Sequence, residues 1–210
     1  MRPITQIRTL AAAAVGAICA AQTTAGAGNL VINGSLASGG VATLSAQQIL
    51  GVTSAGNLSA VNFTITGTDD QGRVIAQTIA GPNANTVQTT LNYRTVTSIA
   101  VSAAVGTNVT VDTLQIGASI EVPLDQYVTQ FNVSIAVEVT GTLNYVMQFT
   151  FDDIFGGAPG PFNWISSTVV VSATSANTNG TLISPVRAVR LLTNSGSGTG
   201  KMLVIQGGLT

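Results

Sequence analysis

Phe131 to Asp152 reads FNVSIAVEVTGTLNYVMQFTFD. Phe131, Val133, Ile135, Val137 and Val139 alternate with Asn132, Ser134, Ala136, Glu138 and Thr140. After Gly141-Thr142 the pattern resumes, with Leu143, Tyr145, Met147, Phe149 and Phe151 set between Asn144, Val146, Gln148, Thr150 and Asp152. A side-chain period of two marks a strand with one apolar and one mostly polar face. Two such runs about a short loop with Gly in first place predict a β-hairpin whose primed turn fixes the register and sends these apolar side chains to one face. A lone hairpin is marginal in water, so that face must lie on a second layer, and the expected architecture is a β-sandwich.

The same signature extends outward. Leu30 and Ile32, then Val41 and Leu44 beyond Gly39-Gly40, continue in β register, and Val61, Phe63 and Ile65 alternate with Asn62, Thr64 and Thr66. Thr68-Asp69-Asp70-Gln71-Gly72 supplies turn chemistry, so Val74 to Ile79 is expected as the returning partner strand, ended by Gly81-Pro82-Asn83. Tyr93 to Ser102 and Val109 to Ile116 are two more strands, parted by Gly106-Thr107-Asn108. Gly117-Ala118-Ser119 with Pro123 marks a boundary between halves. Beyond the hairpin the reading is a loop from Asp153 to Asn163, a strand at Thr168 to Ser172 and a turn at Asn177 to Gly180. A strand at Val186 to Leu192, a flexible tip at Asn194 to Gly200 and a last strand at Met202 to Gln206 complete it. Strands recurring with turn signals between them are the mark of a sandwich or barrel, and no segment has a convincing helical period.

Arg2 and Arg8, the apolar stretch Leu10 to Ala21 and Ala25-Gly26-Ala27 imitate a secretory signal peptide. The stretch is mostly Ala and too short to cross a bilayer. It is therefore read as an N-terminal arm that docks on a neighbour, with no membrane partner.

The 210 residues are 45% hydrophobic and only 7% charged, with no His and a formal charge of −1. Ordinary soluble domains carry roughly a quarter charged residues. The surface must then be built of Ser, Thr, Asn, Gln and Gly, with little charge repulsion to keep copies apart. Such a chain is expected to pack against other subunits. The seven Lys and Arg are scattered, which leaves no electrostatic footprint for nucleic acid. The single Cys19 precludes an internal disulfide and reads as a small buried apolar residue.

Without His, imidazole-dependent triads and metal sites are absent. Asp69-Asp70 lie in a turn; Asp152-Asp153 end a strand, where either one caps the following loop and the other faces solvent or Arg187 or Arg190, or both hold Ca²⁺ with loop carbonyls. Gly196 to Lys201 fails as a phosphate loop, because Ser195 stands where the first Gly belongs, Met202 replaces the hydroxyl residue and a strand follows. No catalytic, cofactor or metal residue is assigned, and the chain is read as no enzyme. Phe162 and Trp164, closing a Pro/Gly loop that also holds Phe155, are a candidate interface anchor or sugar platform; with Arg187 and Arg190 they form the candidate interface.

Ser54-Ala55-Gly56-Asn57, Phe63-Thr64-Ile65-Thr66-Gly67-Thr68-Asp69, Gly72, Gly81-Pro82-Asn83-Ala84 and Thr95-Val96-Thr97-Ser98-Ile99 resemble an immunoglobulin-like module that recurs in structural proteins of tailed bacteriophages. Met1-Arg2-Pro3-Ile4, Gly28-Asn29-Leu30 and Gly39-Gly40-Val41-Ala42 resemble the start of such virion proteins, where this region is not a signal peptide. Phe149-Thr150-Phe151-Asp152-Asp153, Trp164, Asn179-Gly180 and Pro185-Val186-Arg187-Ala188-Val189-Arg190 are similar to their C-terminal part. The resemblance implies a non-enzymatic virion component without cofactors: a head decoration or cement protein or head fibre, or a tail-associated subunit. The expected fold is all-β, with an extended arm over 1–28, an immunoglobulin-like β-sandwich over 29–117 and a jelly-roll-like sandwich over 118–210. The expected function is capsid decoration through homo-oligomeric packing, with copies of itself and the major capsid protein or other virion subunits as partners. The alternative is a tail- or collar-associated fibre or adhesin that binds a host receptor or glycan.

Overall fold

A computed structural model describes residues 4–9, 11–155, 162–168 and 175–209. The chain forms two compact units: Ala11–Gln115, and Met1–Leu10 joined with Ile116–Thr210. Both are built of antiparallel strands, and the described residues contain no helix. The strands begin with β1 (Ile4–Thr9), β2 (Ala14–Thr24), β3 (Gly28–Asn29), β4 (Ala37–Ser38), β5 (Val41–Gln48) and β6 (Leu50–Ser54). Next come β7 (Asn62–Thr68), β8 (Val74–Ala80), β9 (Thr86–Gln88), β10 (Tyr93–Val101), β11 (Val105–Thr113), β12 (Gly117–Ala118) and β13 (Val122–Pro123). The remainder are β14 (Thr129–Thr140), β15 (Leu143–Thr150), β16 (Ile165–Ser166), β17 (Thr178–Leu182), β18 (Ala188–Gly196) and β19 (Thr199–Leu209).

In the 11–115 unit one sheet runs β4-β5-β10-β7-β8, with β3 also on β10, and the other runs β2-β11-β6-β9. One core takes Leu44, Phe63, Ile65, Tyr93 and Ile99 from the first sheet and Ile18, Leu50, Val52 and Val111 from the second. β7 and β8 form the expected hairpin, paired without a shift from Asn62↔Ala80 to Thr68↔Val74. Its turn is closed by Asp69, whose Oδ1 accepts from the backbone N–H groups of Gln71 and Arg73 and whose Oδ2 accepts from Arg73 Nε. Gly106-Thr107-Asn108 do not form a turn. They lie inside β11, where the register on β2 slips between Val105 and Val109, so a bulge absorbs the turn-type residues.

The segment expected as an arm over 1–28 does not stand apart. Ile4–Thr9 pairs with β19, and Ala14–Thr24 pairs with β11, bringing Cys19 opposite Val111. Ala17, Ile18 and Cys19 are fully buried, so small side chains of weak β preference are held as a strand by the core they fill.

In the other unit the sheets run β1-β19-β14-β17 and β12-β18-β15-β16, with β13 also on β18. The 131–152 stretch is not a hairpin. β14 pairs with β17 and β19, whereas β15 pairs with β16 and β18, so the two runs lie in different sheets of one core. Alternation dictates which face is buried, and both arrangements bury the same side chains; it does not dictate the hydrogen-bonding neighbour. Val133, Ile135 and Val137 thus pack into one core with Leu143, Tyr145 and Met147, and Phe151 falls beyond the strand end. The back of β15 is not wet either, since Val146, Gln148 and Thr150 are also buried.

β18 and β19 cross between the same two sheets at Ser197-Gly198, so the residues expected as a flexible tip form a second corner. The corners are bonded together: Ser197 N and Gly198 N donate to Thr142 O at 2.9 and 2.8 Å. Gly141 and Gly196 adopt φ of 79° and 110°, and a Cβ on Gly198 would lie 2.5 Å from Thr140 O. Asn177–Gly180, expected as a turn, mostly belongs to β17, and Asn177 Oδ1 accepts from Val139 N. The strand expected at Thr168 to Ser172 lies largely outside the described residues.

Candidate functional site

The candidate interface residues gather where β15 ends and β18 begins. Register places Gln148 opposite Arg190 and Thr150 opposite Ala188. Arg190 Nε donates to Gln148 Oε1 at 2.9 Å, and its guanidinium lies 4.1 Å from the centre of the Trp164 ring. Burial pushes the Arg190 guanidinium down to about 9, while the Glu121 carboxylate acts in the opposite direction. It therefore stays charged at neutral pH, and the Trp164 contact is a cation–π stack worth about 0.5–2 kcal/mol. This half-buried ring packs on Arg190 and does not offer that face to a sugar.

Arg187 ties three segments together. Its N–H donates to Thr150 O, its carbonyl accepts from Leu124 N, and Nη2 lies 3.2 Å from Asp153 Oδ1. Asp153 Oδ1 also accepts from Phe155 N, and Asp152 Oδ2 accepts from Asn163 N. Both carboxylates are thus engaged as loop caps, and Asp153 is shared with Arg187. Among the described residues no group of three His, Cys, Asp or Glu side chains comes together. The arrangement joins Arg190 to Trp164 and links Arg187 to Phe155 through Asp153; Phe162 is half-buried two positions before Trp164. Residues 156–161 of the predicted loop lie outside the described residues.

The exposed apolar groups here are Phe155 at 69%, Phe151 at 58% and Ile165 at 45% exposure. Phe151 stands edge-on to Phe149, centroids 5.5 Å apart. Phe151 and Ile165 were not singled out from the sequence. The available signal was that the alternating run through Phe151 outlasts the strand, leaving its last apolar member without a core to face.

Elsewhere the sheet surfaces carry hydroxyl pairs, Thr64 with Thr78 and Thr68 with Thr95 at 2.8 Å and Thr9 with Thr199 at 3.0 Å, beside an exposed ion pair, Lys201 with Glu138 at 2.9 Å. Cys19 is buried, and burial pushes its thiol up to about 12. Since the thiolate is the reactive form, a disulfide reagent at pH 8 is expected to leave Cys19 unmodified in the native protein and to titrate it fully in guanidinium. Rapid native labelling would contradict its placement against Val111. Comparison of the chain with protein families, known proteins and solved structures finds no match.

Proposed function

We propose that this chain is a structural subunit of a bacteriophage virion, a capsid decoration or cement protein that packs against copies of itself and against the major capsid protein or other virion subunits. The observation that carries this reading is the surface chemistry of the sheets. Exposed Ile7, Val74 and Ile205 lie on strands, and exposed Phe151 and Phe155 lie beyond the end of β15, in a chain that is 7% charged. Such a surface buries apolar area without first desolvating charge, and it lacks the repulsion that keeps copies apart. The resemblance of its turn and strand motifs to virion proteins supplies the particle. On the same reading the 11–115 unit is immunoglobulin-like and the other jelly-roll-like.

The mechanism is mechanical. Each copy adds a modest binding free energy across subunit joints, and attachment at several points makes the sum large. Particles assembled without this chain are expected to lose heat resistance and to fail at low ionic strength, and a copy number comparable to that of the major capsid protein is expected by gel densitometry. Unchanged particle stability would sink the reading. A few copies per particle, with cell attachment lost in Phe151→Ala/Phe155→Ala while assembly is intact, would replace it by the tail- or collar-associated adhesin.

A further inference from the structure

Among the described residues β8 is an edge strand without a pairing partner on its outer side. Exposed sheet edges template pairing with another chain, and folds blunt them by shortness, charge, Pro, bulges or a covering loop. Most other edges among the described residues are so treated. β3, β4, β12, β13 and β16 have two residues each and β9 has three. β17 has five, with Gly180 at its centre, and β1 carries the buried Arg8. The outer side of β2 is covered, where Ile18 O and Ala17 O accept from Gly34 N and Leu36 N.

β8, Val74-Ile75-Ala76-Gln77-Thr78-Ile79-Ala80, has seven residues with no charge and no Pro, and its pairing to β7 shows no bulge. Among the described residues no backbone hydrogen bond reaches its other side. Its sequence is also complementary to itself. Laid antiparallel on a second copy about a two-fold axis at Gln77, Ile75 meets Ile79 on the core side, and Ala76 meets Thr78 on the exposed side. The core-side pair covers Ile79, which is packed against the core but only half-buried. Gln77, on the axis, is already held, its Oε1 accepting from Thr90 N and Leu91 N and its Nε2 donating to Thr90 Oγ1.

We infer that β8 is a joint between two copies of this chain, paired antiparallel about Gln77 so that two sheets become one. The contact is isologous, the same strand serving on both sides. One strand pair buries less than the ~1,200 Å² at the lower end of stable interfaces, so free copies associate weakly and the joint gains strength when many copies share one surface. The inference deepens the reading of the chain as a self-packing particle subunit and rests on it.

The test is sedimentation equilibrium of the purified full chain over a wide concentration range. The wild type is expected to dimerise reversibly, with amide exchange over 74–80 slowing as dimer forms. Ala76→Lys/Thr78→Lys sets lysines opposite one another across the axis and is expected to weaken dimerisation about tenfold or more. Ala76→Lys/Thr78→Glu sets opposite charges there and is expected to restore it, which a nonspecific loss of β8 would not allow. Ala76→Lys alone, which disturbs none of the side-chain hydrogen bonds of β8, guards against a folding defect in the double variants. A wild type that stays monomeric, or association indifferent to the lysines or not restored by the Glu partner, overturns the joint. It leaves the virion reading standing, because copies can then meet through another surface; that reading falls only with the particle-loss experiment.

Discussion

Replacing Gly196 with Ala is expected to lower the stability of the unit formed by 1–10 and 116–210 by about 3–5 kcal/mol, combining backbone strain of about 1–3 kcal/mol with a steric term of similar size. Gly196 sits at φ 110°, a conformation L residues rarely adopt, and a Cβ there would collide with Thr142 O in the facing corner. Gly141→Ala is the internal control. Its φ of 79° is also left-handed, but its Cβ would meet nothing closer than Gly198 Cα at 3.3 Å, so about 1–2 kcal/mol is expected. Trp164 is the only Trp of the chain and belongs to this unit, so urea unfolding followed by its fluorescence reads the right transition. Equal losses in the two variants would mean that the corners are not packed on each other as described.

The second large effect is expected at Tyr145. Its ring is fully buried, and its hydroxyl donates to Ala176 O at 2.6 Å and lies 3.0 Å from Thr178 Oγ1. Tyr145→Ala removes a large buried side chain and is expected to cost about 3–5 kcal/mol. Tyr145→Phe keeps the ring and loses only the hydrogen bonds, for about 1–2 kcal/mol. The two variants therefore separate packing from polar tethering in one urea series. The pH dependence carries an independent check. Burial raises the Tyr145 hydroxyl above its ordinary value of 10.0, so the unfolded chain ionises first as pH rises. Stability from this group is complete below that value and is lost above it. Tyr145→Phe should flatten the alkaline limb of the Trp164-monitored stability curve, and an unchanged limb would place the hydroxyl in water.

Local chemistry made some of this fold legible and left the rest hidden. The β7–β8 hairpin was readable because Asp69 and Gly72 carry turn chemistry between two alternating runs, and the turn makes its own hydrogen bonds. The 131–152 stretch was readable as to burial but not as to partner. Gly141 with its positive φ serves a tight hairpin or a corner between sheets equally well, and the choice was made by β18 and β19, far along the chain. β2 was hidden because Ala, Gly and Cys carry little strand preference, and its register is imposed by β11. At the candidate site, charge and position left one of Asp152 and Asp153 to face solvent, Arg187 or Arg190, and the fold pairs Asp153 with Arg187. The stack of Arg190 on Trp164 depends on a return of the chain that no local pattern encodes.

The pairing of β1 with β19 bears on biosynthesis. Thr9 meets Thr199 across 190 residues of sequence, so β1 leaves the ribosome long before its partner and waits, exposed, until β19 is made. The continuous 11–115 unit can close its sheets during that interval. Docking of Ile4–Thr9 then waits on the synthesis of β19, and until it happens the nascent chain carries an adhesive ribbon that a neighbouring polysome product can capture by strand exchange.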